Sequence, residues 1–209
     1  MQKFSKAKHQ QLALFFVEGD SEEVFYRKLF TKRLNGIAKV IKNVEGLYNI
    51  QKTVIGKSIE FSRKHPGSYI RIYCCIDRES RDRAPEIDID ELKKTILSEK
   101  SLKKVLSADL IVATQMLESW FFYDIEGIYK YLKIPVKHRN TTKYLPIEKN
   151  RWQDLSKLFE QADKIYLKGQ KSENFIDNLD LDKIYNRCAE LQAGINLVIA
   201  NNKNYKNKM

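Results

Sequence analysis

Carboxylates follow three apolar runs of this 209-residue chain, at positions where a buried strand would end. They are Glu18 after residues 12–17, Asp77 and Glu79 after residues 69–76, and Glu118 a few residues beyond 110–113. Because the carboxyl ends of parallel strands meet at one crevice, these acids are candidates for a shared catalytic site. Carboxylate oxygens suit Mg²⁺, which binds a few of them together with water and substrate phosphate. Taken singly, each acid also has an ordinary interpretation as a turn residue or a helix-terminal charge.

Basic residues accompany the acids and suggest a phosphate-bearing substrate. Arg78 and Arg81 adjoin the second acidic group, and Lys168 and Lys171 lie in a later segment. Arg binds phosphate through two parallel hydrogen bonds and Lys binds it as a point charge. The sequence leaves two interpretations open, contact with substrate or a fringe that neutralises clustered carboxylates.

Four consecutive aromatic residues, 120–123, follow the last acid. Aromatic rings can stack on nucleic-acid bases. Four neighbours on a helix cannot all point the same way, however, so we predict that Trp120 and Phe121 belong to the core.

The elements that position these residues alternate between strand and helix. Strands are predicted at 12–17, 37–44, 69–76 and 110–113, separated by helices that start near residues 20, 50 and 88. This βαβαβαβ order predicts an α/β fold with a parallel sheet flanked by helices. Helices are then predicted at 116–132, 152–162 and 181–200, with a polar loop at 135–146 and a frayed tail from 201. The expected organisation is an α/β core over 1–132 and a helical C-terminal extension over 133–209, packed on the core as one compact domain.

Composition narrows the class of protein. The formal net charge is +11, which favours a polyanionic partner, although lysine-rich solvated surfaces give the same excess. No apolar run approaches the length of a membrane span, and the first one ends in charged residues without a signal-cleavage pattern. The three cysteines and three histidines lack zinc-site spacing, so we expect buried cysteines and a cytoplasmic protein without membrane contact.

The ordered motifs resemble a known family. Residues 16–23, FVEGDSEE, look like the first motif of TOPRIM domains, and residues 76–79, IDRE, resemble the second acidic motif. Segments 115–122 and 165–169 are similar to the Glu-x-Trp and Tyr-x-Lys segments of the DUF4276-like group, which is related to OLD-nuclease and RloB-like TOPRIM proteins. The second motif departs from the usual Asp-x-Asp, because Glu79 is one methylene longer.

The resemblance implies a TOPRIM-type endonuclease that uses Mg²⁺ or Mn²⁺ on DNA or RNA, in prokaryotic antiviral defence. It implies that Glu18 is a metal ligand or general acid/base and that Asp77 and Glu79 bind the metal. Glu118, the further acid expected at the same sheet edge, completes the predicted catalytic set. Two alternatives stay open: a non-catalytic subunit that binds nucleic acid or an ATPase partner protein, and a nucleotidyltransferase or small phosphohydrolase. Assembly as a homodimer is also left open.

Overall fold

The computed structural model describes residues 11–45, 50–79, 87–168 and 173–206. In this part of the chain four strands form one parallel sheet of order β2-β1-β3-β4. The strands are β1 (Gln11–Val17), β2 (Lys39–Asn43), β3 (Tyr69–Asp77) and β4 (Val105–Ala113). The α/β fold expected from the strand and helix alternation is therefore confirmed.

Helices connect the strands and continue to the end of the described chain. They are α1 (Asp20–Arg33), α2 (Ile50–Lys64), α3 (Ile89–Ser98), α4 (Leu117–Phe121), α5 (Ile125–Tyr131), α6 (Trp152–Glu160), α7 (Glu173–Asp177), α8 (Leu181–Arg187) and α9 (Ala189–Lys206). Short 3₁₀ turns lie at 100–102, 122–124, 136–138, 142–144 and 147–149.

The sheet separates two hydrophobic clusters because successive strand residues point to opposite faces. One face carries Phe15, Tyr73 and Cys75 and packs against α1 and the helices after β4. The other face carries Phe16 and Cys74 and packs against α2 and α3. The predicted burial of the cysteines is confirmed, since all three are free and buried. Residues from both sides of position 132 share the first cluster.

Strand β4 begins five residues earlier than predicted. The prediction recognised only its apolar end, 110–113, and missed the start because Ser107 and Asp109 interrupt the apolar pattern. In the sheet these polar side chains have partners: the Ser107 hydroxyl donates to Asp109 at 3.0 Å and accepts from Arg71 at 3.1 Å. Satisfied polar groups of this kind are compatible with a partly buried strand.

The C-terminal helices are more divided than predicted. The helix expected over 116–132 is split into α4, a 3₁₀ turn and α5, where Asp124 accepts from the backbone N–H of Gly127 and caps α5. The helix expected over 181–200 is interrupted at Cys188, whose backbone is extended. Helix α7 was not predicted, and α9 runs through Lys206 where a frayed tail was expected. Among the described residues, no helix combines the length and apolar character needed to cross a membrane.

Candidate functional site

Glu18 and Asp77 meet at the crevice between β1 and β3. These strands are adjacent and parallel, with Val17 opposite Cys75, so both acids emerge at the same edge of the sheet. The backbone N–H of Asp77 donates to Glu18 Oε1 at 3.1 Å. The chain passes from β1 to β2 on one side and continues to β3 on the other, which makes this crevice the topological switch point where open α/β sheets bind ligands.

Asp77 also organises the helix that follows β4. Its Oδ1 accepts a hydrogen bond from the backbone N–H of Leu117 at 3.0 Å, at the start of α4. Only 7% of Asp77 is exposed, so this carboxyl lies largely out of solvent. The contact fixes the beginning of α4 beside β3 and thereby places the next residue, Glu118, at the same crevice.

Glu118 is almost completely buried, with 1% of its surface exposed. The hydroxyl of Tyr166 donates to Glu118 Oε1 at 2.9 Å. The second carboxylate oxygen, Oε2, is buried and has no hydrogen-bond partner among the described residues. Buried polar atoms are nearly always paired, so an unpaired carboxylate oxygen marks a position suited to a ligand or a proton.

Glu22 is a further buried carboxylate of this cluster, which the sequence analysis missed. It lies in the first turn of α1, is 7% exposed, and also has an oxygen, Oε2, that no described residue pairs. It entered the sequence analysis only within the motif of residues 16–23, with no predicted role. A signal was available, because Glu22 precedes Phe25 and Tyr26 by three and four residues and so continues the buried stripe of α1.

The electrostatics of the cluster reflect burial of like charges. Burial and the charge of Glu118 raise the pKa of Glu22 to about 7. Burial, with the nearby charges of Glu18 and Glu22, raises the pKa of Asp77 well above its usual range. Burial also raises the pKa of Glu118, although the hydrogen bond from Tyr166 acts in the opposite direction. The protein thus holds three carboxyls in sites that disfavour their ionised form.

Lys168 supplies a positive charge to this cluster. Partial burial of the ammonium group acts to lower its pKa, but the surrounding carboxylates, Glu118 foremost, outweigh burial and raise it. Its Nζ lies 3.6 Å from Glu79 Oε1. Glu79 has a left-handed backbone (φ 59°), and its carbonyl oxygen accepts from Gln115 at 2.8 Å. The Glu79 side chain is therefore directed to Lys168.

The other basic residues singled out from the sequence are placed differently. Arg78 borders a groove of about 380 Å³ between β4 and α9, together with Thr114 and Glu190. Arg81 and Lys171 lie outside the described residues. Lys168 is a predicted substrate-binding residue whose charge acts on the acidic cluster.

The aromatic segment of α4 forms a wall of the core. Trp120, Phe121 and Phe122 are each at most 2% exposed, which leaves no ring face for a base. The indole N–H of Trp120 donates to Glu190 at 3.2 Å, and Glu190 also accepts from the backbone N–H of Thr114 at 3.2 Å. The predicted core role of Trp120 and Phe121 is confirmed, and Glu190, which was not predicted, ties α9 to the end of β4.

The donor set fits a hard divalent cation by its chemistry. The carboxylates at the crevice offer oxygen ligands, and two of their buried oxygens have no hydrogen-bond partner in the described chain. Within the described ranges, no three His, Cys, Asp or Glu side chains form a ready-made ligand group. Mg²⁺ does not need such a cage, because it is usually bound by one or two carboxylates with water and substrate phosphates completing its shell.

Comparison with known proteins places the chain in a family. A family model described as "Domain of unknown function (DUF4276)" matches residues 17–197. No curated protein and no solved structure matches the chain. The family match begins at the last residue of β1 and ends within α9, so it includes each carboxylate of the crevice together with Lys168. Because the match covers most of the chain, this protein belongs to the DUF4276 family.

Proposed function

We propose that this protein is a TOPRIM-type nuclease that hydrolyses phosphodiester bonds in DNA or RNA with Mg²⁺ or Mn²⁺. The observation that carries the proposal is the buried carboxylate cluster at the β1–β3 crevice, in which Glu22 and Glu118 each present an oxygen that no described residue pairs. The family match is consistent with the proposal but assigns no activity.

The cluster is costly as a purely structural feature. Burying a carboxylate without compensating hydrogen bonds is unfavourable, and neighbouring carboxylates add mutual repulsion. Lys168 offsets part of this charge but is itself partly exposed. Strongly shifted pKa values from burial plus specific charge partners concentrate at functional sites. We therefore interpret the cluster as a site built to receive positive charge.

Within the proposal, each residue has a role that follows from its position. Glu18 and Asp77 would hold the cation, and the unpaired oxygens of Glu22 and Glu118 are further donors at the same crevice. A bound divalent cation would polarise the phosphodiester and lower the pKa of a water molecule. Lys168 would contact a substrate phosphate. Glu79 would be a further metal ligand, and its contact with Lys168 would also help to orient that ammonium group.

A non-catalytic role beside an ATPase is the second candidate. The observation that favours it is the lack, in the described chain, of a ready-made group of three metal ligands. On this view the crevice would bind a partner or nucleic acid without turnover. In either case the proposed setting is prokaryotic antiviral defence.

The test is cleavage of labelled DNA and RNA by the purified chain with Mg²⁺, Mn²⁺ or EDTA. We expect cleavage with metal, none in EDTA, and a loss on the order of 100-fold or more in Asp77→Asn and Glu18→Gln, because losing several kcal/mol of charge stabilisation costs about tenfold per 1.4 kcal/mol. Asp163→Asn, an exposed residue on the turn after α6, is the matched control and should cleave as the wild type does.

Each contrary result has a defined meaning. Retention of wild-type turnover by either variant removes that residue from the site. Nucleic-acid or partner binding without any turnover favours the non-catalytic subunit, and turnover of nucleotides with polymers left intact favours the phosphohydrolase or nucleotidyltransferase.

A further inference from the structure

The basic face of α1 is occupied by acidic residues of the C-terminal helices. Lys28 forms an ion pair with Asp177 of α7, and Asp182 of α8 pairs with Arg33 at 2.7 Å and with Lys32 at 3.2 Å. These pairs hold α1 beside α7 and α8, and they neutralise positive charge that the sequence alone would assign to nucleic acid. Cations without an acidic partner among the described residues lie on another surface, and a polyanion can contact them there without displacing a carboxylate.

A basic groove lies between β2 and α2, at the β2 edge of the sheet. The acidic crevice lies between this groove and β4. The β2–α2 groove is lined by Lys42, Lys57, Glu60, Phe61 and Lys64, and it encloses about 190 Å³. Three ammonium groups and one carboxylate leave a local charge of two positive. Phe61 is buried and forms the apolar floor, since only 6% of it is exposed.

Only one of the three lysines forms an ion pair with a described residue of the groove. Lys64 Nζ lies 2.5 Å from Glu60 Oε1, one helical turn away. The pKa of Glu60 is lowered first by its hydrogen bond with Lys64, and Lys42 and Lys57 contribute further lowering charges. Lys42 forms no ion pair with any described residue, and Lys57 donates to a carbonyl oxygen, that of Asn43, at 2.6 Å. Within the described chain, two of the three ammonium groups thus have no anionic partner of their own.

One end of the groove lies beside Asn43, where Lys57 binds the Asn43 carbonyl oxygen. Asn43 is the last residue of β2 and lies opposite Val17, the residue immediately before Glu18. Its side-chain amide donates to Asp20 Oδ1 at 2.9 Å. The Lys42 and Lys57 end of the groove therefore lies near the edge of the sheet at which Glu18 emerges, on the face covered by α2, whereas α1 and α4 carry Glu22 and Glu118 on the opposite face.

We propose that the β2–α2 groove binds the phosphodiester backbone of a nucleic-acid strand that continues past the end of β1 to the Glu18–Asp77 crevice. This proposal rests on the proposed nuclease function and adds the surface that holds its substrate. Lys42, Lys57 and Lys64 act as point charges on successive phosphates, each displacing condensed counterions. The ion pair with Glu60 orients Lys64 at the far end of the groove.

The test compares two triple variants of the full chain. Lys42, Lys57 and Lys64 are replaced by Gln in one, and Lys130, Lys137 and Lys157, which are exposed on the segments after β4, are replaced by Gln in the other. Both remove three charges. Affinity for a fluorescein-labelled oligonucleotide, single-stranded and duplex, is measured by anisotropy in EDTA over a series of salt concentrations, and thermal melts check that each variant is folded.

We expect the groove variant to lose on the order of 100-fold in affinity at 0.1 M salt, and its log–log salt slope to fall by about 2 to 3 for three lost phosphate contacts. The control should change by no more than about threefold, because distant exposed charges are screened. Equal losses in both variants, or wild-type affinity in the groove variant, would overturn the proposal. If the triple variant does not fold, Lys42→Gln alone should still lose about tenfold, and wild-type affinity in that variant would overturn the proposal as well.

Two further measurements distinguish a nucleic-acid groove from a free-anion site, and the groove from the crevice. Titration with inorganic phosphate should show no saturation at micromolar concentration. Tight phosphate binding that is abolished in the groove variant would assign the groove to a free anion and overturn the proposal.

Groove-dependent binding by a wild-type chain that never cleaves supports the groove and contradicts the nuclease. Metal-dependent cleavage at the wild-type rate by the groove variant supports the nuclease and contradicts the groove.

Discussion

Replacing Glu22 with Gln should stabilise the metal-free protein, and the gain should grow as the pH rises. Glu22 is buried, one of its carboxylate oxygens has no partner among the described residues, and its pKa is raised from 4.5 to about 7 by burial and by the charge of Glu118. Such a carboxyl does not destabilise the folded protein while it is protonated. Its ionised form is disfavoured in the folded state, so the wild type loses stability as Glu22 ionises, whereas glutamine has no ionised form.

The magnitude follows from the two pKa values. The destabilisation by ionised Glu22 is absent below its pKa in the unfolded chain, 4.5. It grows as the pH rises between the two pKa values and is complete above the pKa in the folded protein, about 7. A pKa difference of this size corresponds to about 3 kcal/mol at full development. Between pH 5 and pH 8 the wild type should therefore lose about 2.5 kcal/mol more stability than Glu22→Gln, most of it before pH 7.

The measurement is urea unfolding of both proteins in EDTA at pH 5, 6, 7 and 8. Glu160→Gln is the matched control, because Glu160 is exposed at the end of α6 and its substitution should shift stability by no more than about 0.5 kcal/mol at any pH. A metal that binds only the folded state should stabilise the wild type by mass action and reduce the advantage of the variant at pH 8.

A difference between Glu22→Gln and wild type that stays constant from pH 5 to pH 8 would contradict this prediction. It would mean that the carboxyl ionises with its ordinary pKa in the folded protein. Glu22 would then no longer count among the carboxyls of the cluster whose ionised form is disfavoured by burial.

Two further predictions concern packing and hydrogen bonding. Gly194→Ala should lower the free energy of unfolding by about 1–3 kcal/mol, because a Cβ there would lie 2.6 Å from Ile111 Cγ2. Gly56→Ala, in open space on α2, should raise the free energy of unfolding by about 0.5–1 kcal/mol. Thermal melts of the two variants check both effects, and equal effects would contradict the close packing of α9 on β4. Tyr166→Phe should lower the free energy of unfolding by about 1–3 kcal/mol, because it removes the hydrogen-bond donor to Glu118. The loss should be larger at pH 8 than at pH 5, because without this hydrogen bond the pKa of Glu118 rises further. Urea unfolding at the two pH values checks this, and a pH-independent loss would argue against it.

The α/β architecture, and the sheet edge at which the acids gather, follow from the sequence alone. The apolar runs of β1 and β3 are long enough and sufficiently rich in β-branched and aromatic residues to indicate buried strands. The helices between them carry regular apolar stripes. Once the strands are parallel, the placement of Glu18 and Asp77 at one edge follows from chain direction, and the structure puts them one hydrogen bond apart. Local pattern failed where polar residues interrupt an element, as at the start of β4, or where a buried extended residue breaks a helix, as at Cys188.

Which acids are buried, and which positive charges are neutralised, depends on the tertiary structure. Glu22 and Glu118 lose their solvent because α1, α4 and the segment carrying Tyr166 close over them. Lysines that look equivalent in the sequence separate into those of α1, paired with acids about 150 positions away, and those of the β2–α2 groove. Burial and charge pairing depend on what distant segments place around a side chain. The position of a residue in the sequence does not show which distant residues will surround it. Its pKa and its availability to a ligand are therefore determined only by the folded structure.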